Sequence, residues 1–264
     1  MHRPNRLTAV LLAVGASAAL VLSGCSSNDD TTPAATSDSA ATTQLNAAAD
    51  STAALTGAHV NLKVDGSFQG LNATAVDADV NVKPAMAGKG TATLNMGGKT
   101  VEAPFVYVGD RFYANVNGDG WLDYGDGRSI YNVSAVLDPQ TGVPHILRSL
   151  DGAKIDGKET INGVETTKIT GTVPAKATAG LTGAAGKDAK EATDALKTTV
   201  YITDDNQVAR VVVTPADKVT MTVDISNWNK TVEVAKPADV KTPSNEKPKE
   251  APKSGEPTRE KAGS

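Results

Sequence analysis

Cysteine occurs once in this chain, at Cys25, and histidine three times, at His2, His59 and His145. A single thiol leaves no partner for an intrachain disulfide or a multi-cysteine zinc site, so nucleophilic attack or alkylation is the chemistry open to it. Neither downstream histidine is set up to activate a nucleophile. His59 falls on the polar side of an alternating stretch and His145 in the first turn of a short amphipathic one, so both read as surface residues. A Ser-His-Asp hydrolase would need a motif such as Gly-x-Ser-x-Gly, and the chain has none. The loop "GDGWLDYGDGRS" at 118–129 places Asp119, Asp123 and Asp126 among glycines, where carboxylates invite a calcium ion. It lacks the spacing and terminal Glu of an EF-hand loop and reads as a glycine-rich hairpin, with Trp121 and Tyr124 as an amphipathic rim suited to lipid headgroups. No catalytic residue, metal or cofactor is expected.

The residues before Cys25 decide what its thiol does. His2, Arg3 and Arg6 make a basic start, followed by an uncharged apolar run from Leu7 to Leu22. That is the layout of an export signal, and the run is short of the roughly 20 apolar residues that cross a bilayer. It ends in Leu22-Ser23-Gly24-Cys25, which matches the lipobox of bacterial lipoproteins. Maturation at such a site alkylates the thiol with a diacylglyceryl group and leaves the cysteine as the first residue. Two or three acyl chains, at about 0.8 kcal/mol per buried methylene, anchor a protein stably. The sequence therefore predicts a signal over 1–24, a lipid anchor at Cys25 and exposure on the outer face of the cell membrane.

The rest of the chain must supply a fold without disulfides. Without Arg3 and Arg6, 24 basic residues face 30 acidic ones, which gives no electrostatic footprint for nucleic acid. Residues 25–42 are small and polar and read as a flexible tether, while 237–264, rich in Pro, Lys and Glu, read as a disordered tail. Between them, 43–236 form one domain of ordinary size.

Period-two alternation dominates that domain and predicts strands with one apolar face. Val60, Leu62 and Val64 lie on one side of "AHVNLKVDG", Val76, Ala78 and Val80 on one side of "VDADVNVK", and Ala92, Leu94 and Met96 on one side of "TATLNM". Ala103, Phe105 and Tyr107 follow, then Phe112, Ala114 and Val116, and finally Val219, Met221, Val223 and Ile225 in the cleanest strand of all. With further strands near 153–160, 164–173, 198–205 and 207–214, an antiparallel sheet of nine or ten strands, mostly meander, is expected. Helical signals are short: "TQLNAAADSTAAL" before the first strand, "TGVPHILRSL" with Pro144 in its first turn, and "GKDAKEATDALK" with an Ala189, Ala192, Leu196 stripe. So few helices cover one face of the sheet, an α+β layout with the other face in water.

The lipobox, together with "LDPQTGVPHILRSL", "GKETINGVETTKITGTVPA", "VYITDDNQVARVVV" and "ISNWNKTVEVAKPAD" in this order, resembles the actinobacterial LppX/LprA/LprF/LprG lipoprotein family. Tyr201 stands where such proteins carry a tryptophan, and the charged Pro-Lys tail looks like an addition. The resemblance implies a strongly bent antiparallel sheet, a half-barrel, with helices on its concave apolar face enclosing a cavity for the acyl chains of an envelope lipid or glycolipid. It implies a monomeric carrier between membrane and outer envelope, with a membrane transporter as candidate partner. The other reading is a scaffold lipoprotein that assists a transporter or a cell-wall assembly machine and carries nothing. On the carrier reading, the candidate lining is the apolar side of the alternating strands: Val60, Leu62, Val80, Ala92, Leu94, Ala103, Phe105, Phe112, Ala114, Val219, Met221 and Val223. These side chains are mostly Ala and Val, and aromatics make up 4% of the chain, so the face leaves volume that helices alone do not fill.

Overall fold

A computed structural model describes residues 37–66, 73–96, 98–116, 118–127, 133–182, 195–216 and 218–241. Cys25, the signal, most of the expected tether, the tail beyond 241 and most of the helix expected over 186–197 lie outside the described residues.

The alternating stretches form eleven strands in one antiparallel sheet. They are β1 Gly57–Asp65, β2 Ala73–Asn81, β3 Ala87–Met96, β4 Lys99–Val108, β5 Arg111–Ala114, β6 Leu122–Asp126, β7 Asp151–Ile161, β8 Val164–Pro174, β9 Ala195–Ile202, β10 Val208–Ala216 and β11 Val219–Ser226. The strand beyond the nine or ten expected is β6, whose acidic, glycine-rich sequence hides the alternation. Leu196, assigned in the sequence to a helical stripe, instead lies in β9 opposite Val173 of β8. Pairing with a neighbouring strand outweighs a weak local helical preference there.

The strand order is β6-β5-β4-β3-β2-β1-β11-β10-β9-β8-β7. Two meanders thus run outward and back, and the first and last strands meet in the middle, with Leu62 opposite Val223 and Val64 opposite Met221. The edges β6 and β7 do not pair, so the sheet bends into an open half-barrel instead of closing. Gly90 permits part of the bend: a Cβ there would collide with the Asp77 carbonyl oxygen and with Ala78, so β2 and β3 approach more closely than any side chain allows.

Because β6 and β7 are opposite edges, the chain between them must cross the whole concave face. It does so as a 3-10 turn, Val133–Leu137, and helix α2, Val143–Arg148, following helix α1, Ser39–Ala54. Asp138 holds the bend, its carboxylate accepting from the amides of Gln140 and Thr141 and from the Thr141 hydroxyl. Gly142 lies so close to the carbonyl oxygens of Ala135 and Val136 that a side chain has no room, and Pro144 starts α2 where no amide hydrogen is required. In α1, capped by the Asp38 carboxylate, Ala41, Leu45, Ala48, Ala49 and Thr52 form one buried stripe. An ion pair of 2.6 Å from Arg148 to Asp50 ties the two helices together. α1 begins inside the stretch read as tether, 25–42: the Asp38 amide donates to Ala153 O and the Ala153 amide to Ser37 Oγ.

The convex face is only partly left to water. After β11 the chain runs back over it. Asn81 exchanges hydrogen bonds with the Val232 backbone, Lys89 Nζ donates to Glu233 O, and the Lys236 ammonium lies 5.7 Å from the centre of the Tyr113 ring. The strap ends beside β6, where the Lys241 amide donates to Trp121 O and the Asp123 amide to Lys241 O. The stretch read as a tail from 237 therefore starts within the strap, and Tyr113 beneath it is buried. Farther along, Tyr201, Ile161 and Ala209 pack with Trp228 as a small convex cluster, while Trp228 Nε1 donates to Val208 O.

Candidate functional site

The concave face divides into a covered half and an open one. α1 packs on α2 and against β7, and the 3-10 turn reaches β2 and β3. Among the described residues no helical segment packs extensively on β4, β5 or β6. Side chains there face one another across the bend of the sheet, around a cavity of about 390 Å³, within the range of roughly 300–1,000 Å³ typical of small-ligand pockets.

Its wall is predominantly apolar: Ala73, Val76, Ala92, Leu94, Met96, Ala103, Phe105, Phe112, Ala114, Val116 and Tyr124. The sheet register sets the arrangement, with Ala92 opposite Ala103, Leu94 opposite Val101, and Phe105 opposite Ala114. Small side chains form the floor, so the volume is not filled from below. Phe105 and Phe112 stack at 5.7 Å between ring centres, and Tyr124 meets Phe112 edge-on at 6.3 Å, closing one end. Exposure rises from the floor to the rim: Val76, Ala103, Phe105 and Ala114 are buried, whereas Met96 and Tyr124 are 50% and 41% exposed.

Of the candidate lining residues, Ala92, Leu94, Ala103, Phe105, Phe112 and Ala114 face this cavity. Val60, Leu62, Val80, Val219, Met221 and Val223 do not. They are buried in the packed core together with Leu45, Ala48 and Ala49 of α1 and with Ile146 and Leu147 of α2. The helices fill that half of the face and leave the cavity walled by strands β2–β6 and the end of β5. Ala73, Val76, Met96, Val116 and Tyr124 complete the lining. Val76, Met96 and Val116 lie on alternating apolar positions, Ala73 is out of phase and enters the lining beside an irregularity in the β2–β3 pairing, and Tyr124 belongs to the strand the sequence concealed.

The acidic hairpin is spent on itself. Arg111 donates from Nε and Nη2 to Asp123 Oδ2 at 2.9 and 2.7 Å, and the Gly125 amide donates to Oδ1 at 2.9 Å. The Arg111 hydrogen bonds hold the Asp123 carboxyl below its ordinary value of 3.8, against a smaller opposing effect of burial. Among the described residues no three His, Cys, Asp or Glu side chains gather as a metal site. His59 is on the convex face, with Nδ1 3.0 Å from Asp79 and Nε2 3.5 Å from Asp77, and His145 is half-buried in α2. A carboxyl whose folded-state pKa is depressed stabilises the fold above its unfolded pKa, and that stabilisation is lost as pH falls through the folded value. Acidification below about pH 4 is expected to accelerate amide exchange in β6, and Asp123→Asn to remove that acid dependence. The same acid profile in both proteins would show that this pair does not hold the hairpin.

The sequence profile of the LppX_LprAFG lipoproteins matches residues 40–234, from α1 to the strap. The chain belongs to the LppX_LprAFG lipoprotein family. Lipoprotein LprA of Mycobacterium tuberculosis is 34% identical over 244 residues, covering 89% of this chain and 99% of LprA. The lipoarabinomannan carrier protein LprG of Mycolicibacterium smegmatis is 36% identical over 241 residues, covering 89% and 98%. Among solved structures, LprF from Mycobacterium bovis superposes with a TM-score of 0.68 at 24% identity, over 76% of this chain and 98% of LprF. LppX from Mycobacterium tuberculosis superposes with a TM-score of 0.57 at 29% identity, over 75% of this chain and all of LppX. The half-barrel with its helices on the concave side is thus the architecture of LppX_LprAFG proteins.

Proposed function

We propose that the chain is an envelope carrier that holds the acyl chains of a lipid or glycolipid in the β2–β6 cavity and moves them between the membrane and the outer envelope. The observation that carries this reading is a predominantly apolar cavity of about 390 Å³ with an exposed rim at Met96 and Tyr124, a feature that an ordinary packed core does not leave empty. The relatives named as lipoarabinomannan carriers support a glycolipid as the class of cargo. Diacylglyceryl modification of Cys25 holds the protein at the outer face of the cell membrane, and a membrane transporter is a fitting source or recipient of the cargo.

Magnitudes favour reversible transfer. A sixteen-carbon chain gains about 12 kcal/mol on leaving water, but in the bilayer it is already dry. A cavity that matches the bilayer exchanges the chain at little net cost, whereas water exposure during the handover is what must be avoided. The apolar rim shortens that exposure.

Purified full-length Cys25→Ser protein tests both parts of the proposal. It is expected in the soluble fraction, still folded, because Cys25 precedes the first described contact of the fold, at Ser37. Mass spectrometry of its organic extract is expected to recover acylated lipid approaching one molecule per protein. Recovery of the variant in membranes at wild-type level would remove the anchor assignment, and a lipid-free extract would remove the carrier and leave the scaffold.

A further inference from the structure

The register of the sheet shows which way the cavity faces. Moving strand by strand from Met96 and Leu94, the same rim of the half-barrel passes through Ala73, the first residue of β2, and Asp65, the last of β1. It continues through Val219 and Ala216 at the β10–β11 turn, then Lys197 opposite Thr172, and ends at Asp151, the first residue of β7. The cavity is more open on this rim, where Ala73, Ala92, Leu94 and Val116 are half-buried and Met96 is exposed; toward the far turns Phe105 and Ala114 are buried, Phe112 is half-buried and Tyr124 alone is exposed. The chain enters the fold at the same rim, because Ser37 and Asp38 bond to Ala153 two residues into β7.

Those positions have a consequence for an anchored protein. Cys25 precedes Ser37 by 12 residues, and that length of chain spans at most about 40 Å even when fully extended. The opposite rim is farther away by the length of the strands, about 30 Å for the ten residues of β4. The two rims also differ chemically. The mouth rim presents Met96 and the half-buried Trp121, and Lys99, Lys197, Lys218 and Lys241 stand there against Asp65, Asp119 and Asp151. The far turns instead present Asp110, Asp126, Asp204 and Asp205 against Lys83, Arg111 and Lys230. Tryptophan and long apolar side chains favour the headgroup zone of a bilayer, lysine stems reach over it, and an anionic surface repels the acidic turns.

We propose that the mouth rim, with Met96 on the β3–β4 hairpin and Trp121 before β6 as its apolar contacts, is a docking surface for the lipid bilayer that carries the Cys25 anchor. This rests on the carrier reading and specifies its orientation: the cavity opens directly onto the bilayer, so an acyl chain passes between them without crossing bulk water. The strap residue Lys241, bonded to Trp121 O and Asp123 N, then fixes the aromatic side of the mouth.

The test uses the acylated full-length protein in phosphatidylglycerol–phosphatidylcholine vesicles that contain a headgroup-nitroxide lipid. Met96→Cys, Lys197→Cys and Asp204→Cys each add one exposed thiol for a fluorophore, two at the mouth rim and one at the far turn. Several-fold stronger quenching at positions 96 and 197 than at 204 is expected. Equal quenching at all three, or stronger quenching at 204, overturns the proposal. Lysine 197 lies away from the cavity lining, so its quenching reports orientation even if a nitroxide lipid enters the cavity. Lipid recovered from the same preparations keeps the two readings apart: docking with an empty cavity overturns the carrier alone, and retained lipid without rim quenching overturns the docking alone.

Discussion

Ala103→Trp and Ala114→Trp are expected to leave the fold standing and to empty the cavity. Both side chains are buried, 2% and 3% exposed, yet both face the apolar volume between β3, β4 and β5. An indole at either position occupies space that a ligand's acyl chain would use. Losing contact with two methylenes, at about 0.8 kcal/mol each, is enough to lower lipid recovery by roughly tenfold. Ala78→Trp is the matched control, since Ala78 is equally buried but does not line the cavity. There the added ring overpacks the interior, at a cost of about 1–3 kcal/mol or more. The readouts are melting temperature and lipid recovered per mole of protein. Unfolding of both cavity variants, or wild-type lipid in a folded one, would show that this volume is not the lipid site.

Ile146→Ala is expected to give the largest loss of stability of any single change considered. Ile146 is fully buried in α2, the segment that crosses the concave face and joins the two edges of the sheet. Truncating a buried Ile to Ala costs about 2–5 kcal/mol, because the transfer energy is lost and a void remains. For a domain of this size that corresponds to a fall in melting temperature of roughly 4–20 °C. The ring stack of Phe105 and Phe112 lies on the open half of the sheet, so lipid recovered from the folded fraction below the transition is expected to stay near wild type. A melting temperature unchanged by Ile146→Ala would mean that the crossover contributes little to holding the half-barrel, contrary to its burial.

The two variants divide along the line between local and long-range information. Alternation of apolar and polar residues is a property of neighbours in the chain, so the strands from "AHVNLKVDG" to "VTMTVDISNW" and their apolar faces were legible in the sequence, as were α1 and α2 from their stripes and from Pro144. Val60 and Ala103 show where that reading stops. Both occupy the apolar side of a clean alternating strand, but Val60 lies under α1 and α2 and Ala103 faces the cavity. Nothing within either strand distinguishes them. What does is the pairing of β1 with β11, which makes one sheet of two meanders, and the need for the chain to cross from β6 to β7. That crossing, with α1 beside it, fills one half of the concave face. Likewise, β6 and the final turn of the strap at Lys241 are stabilised by partners distant in sequence, Arg111 to Asp123 and Lys241 to Trp121. Local pattern decided which face of each strand is apolar, and tertiary packing decided which part of that face stays unfilled, because volume is left only where the covering helices end.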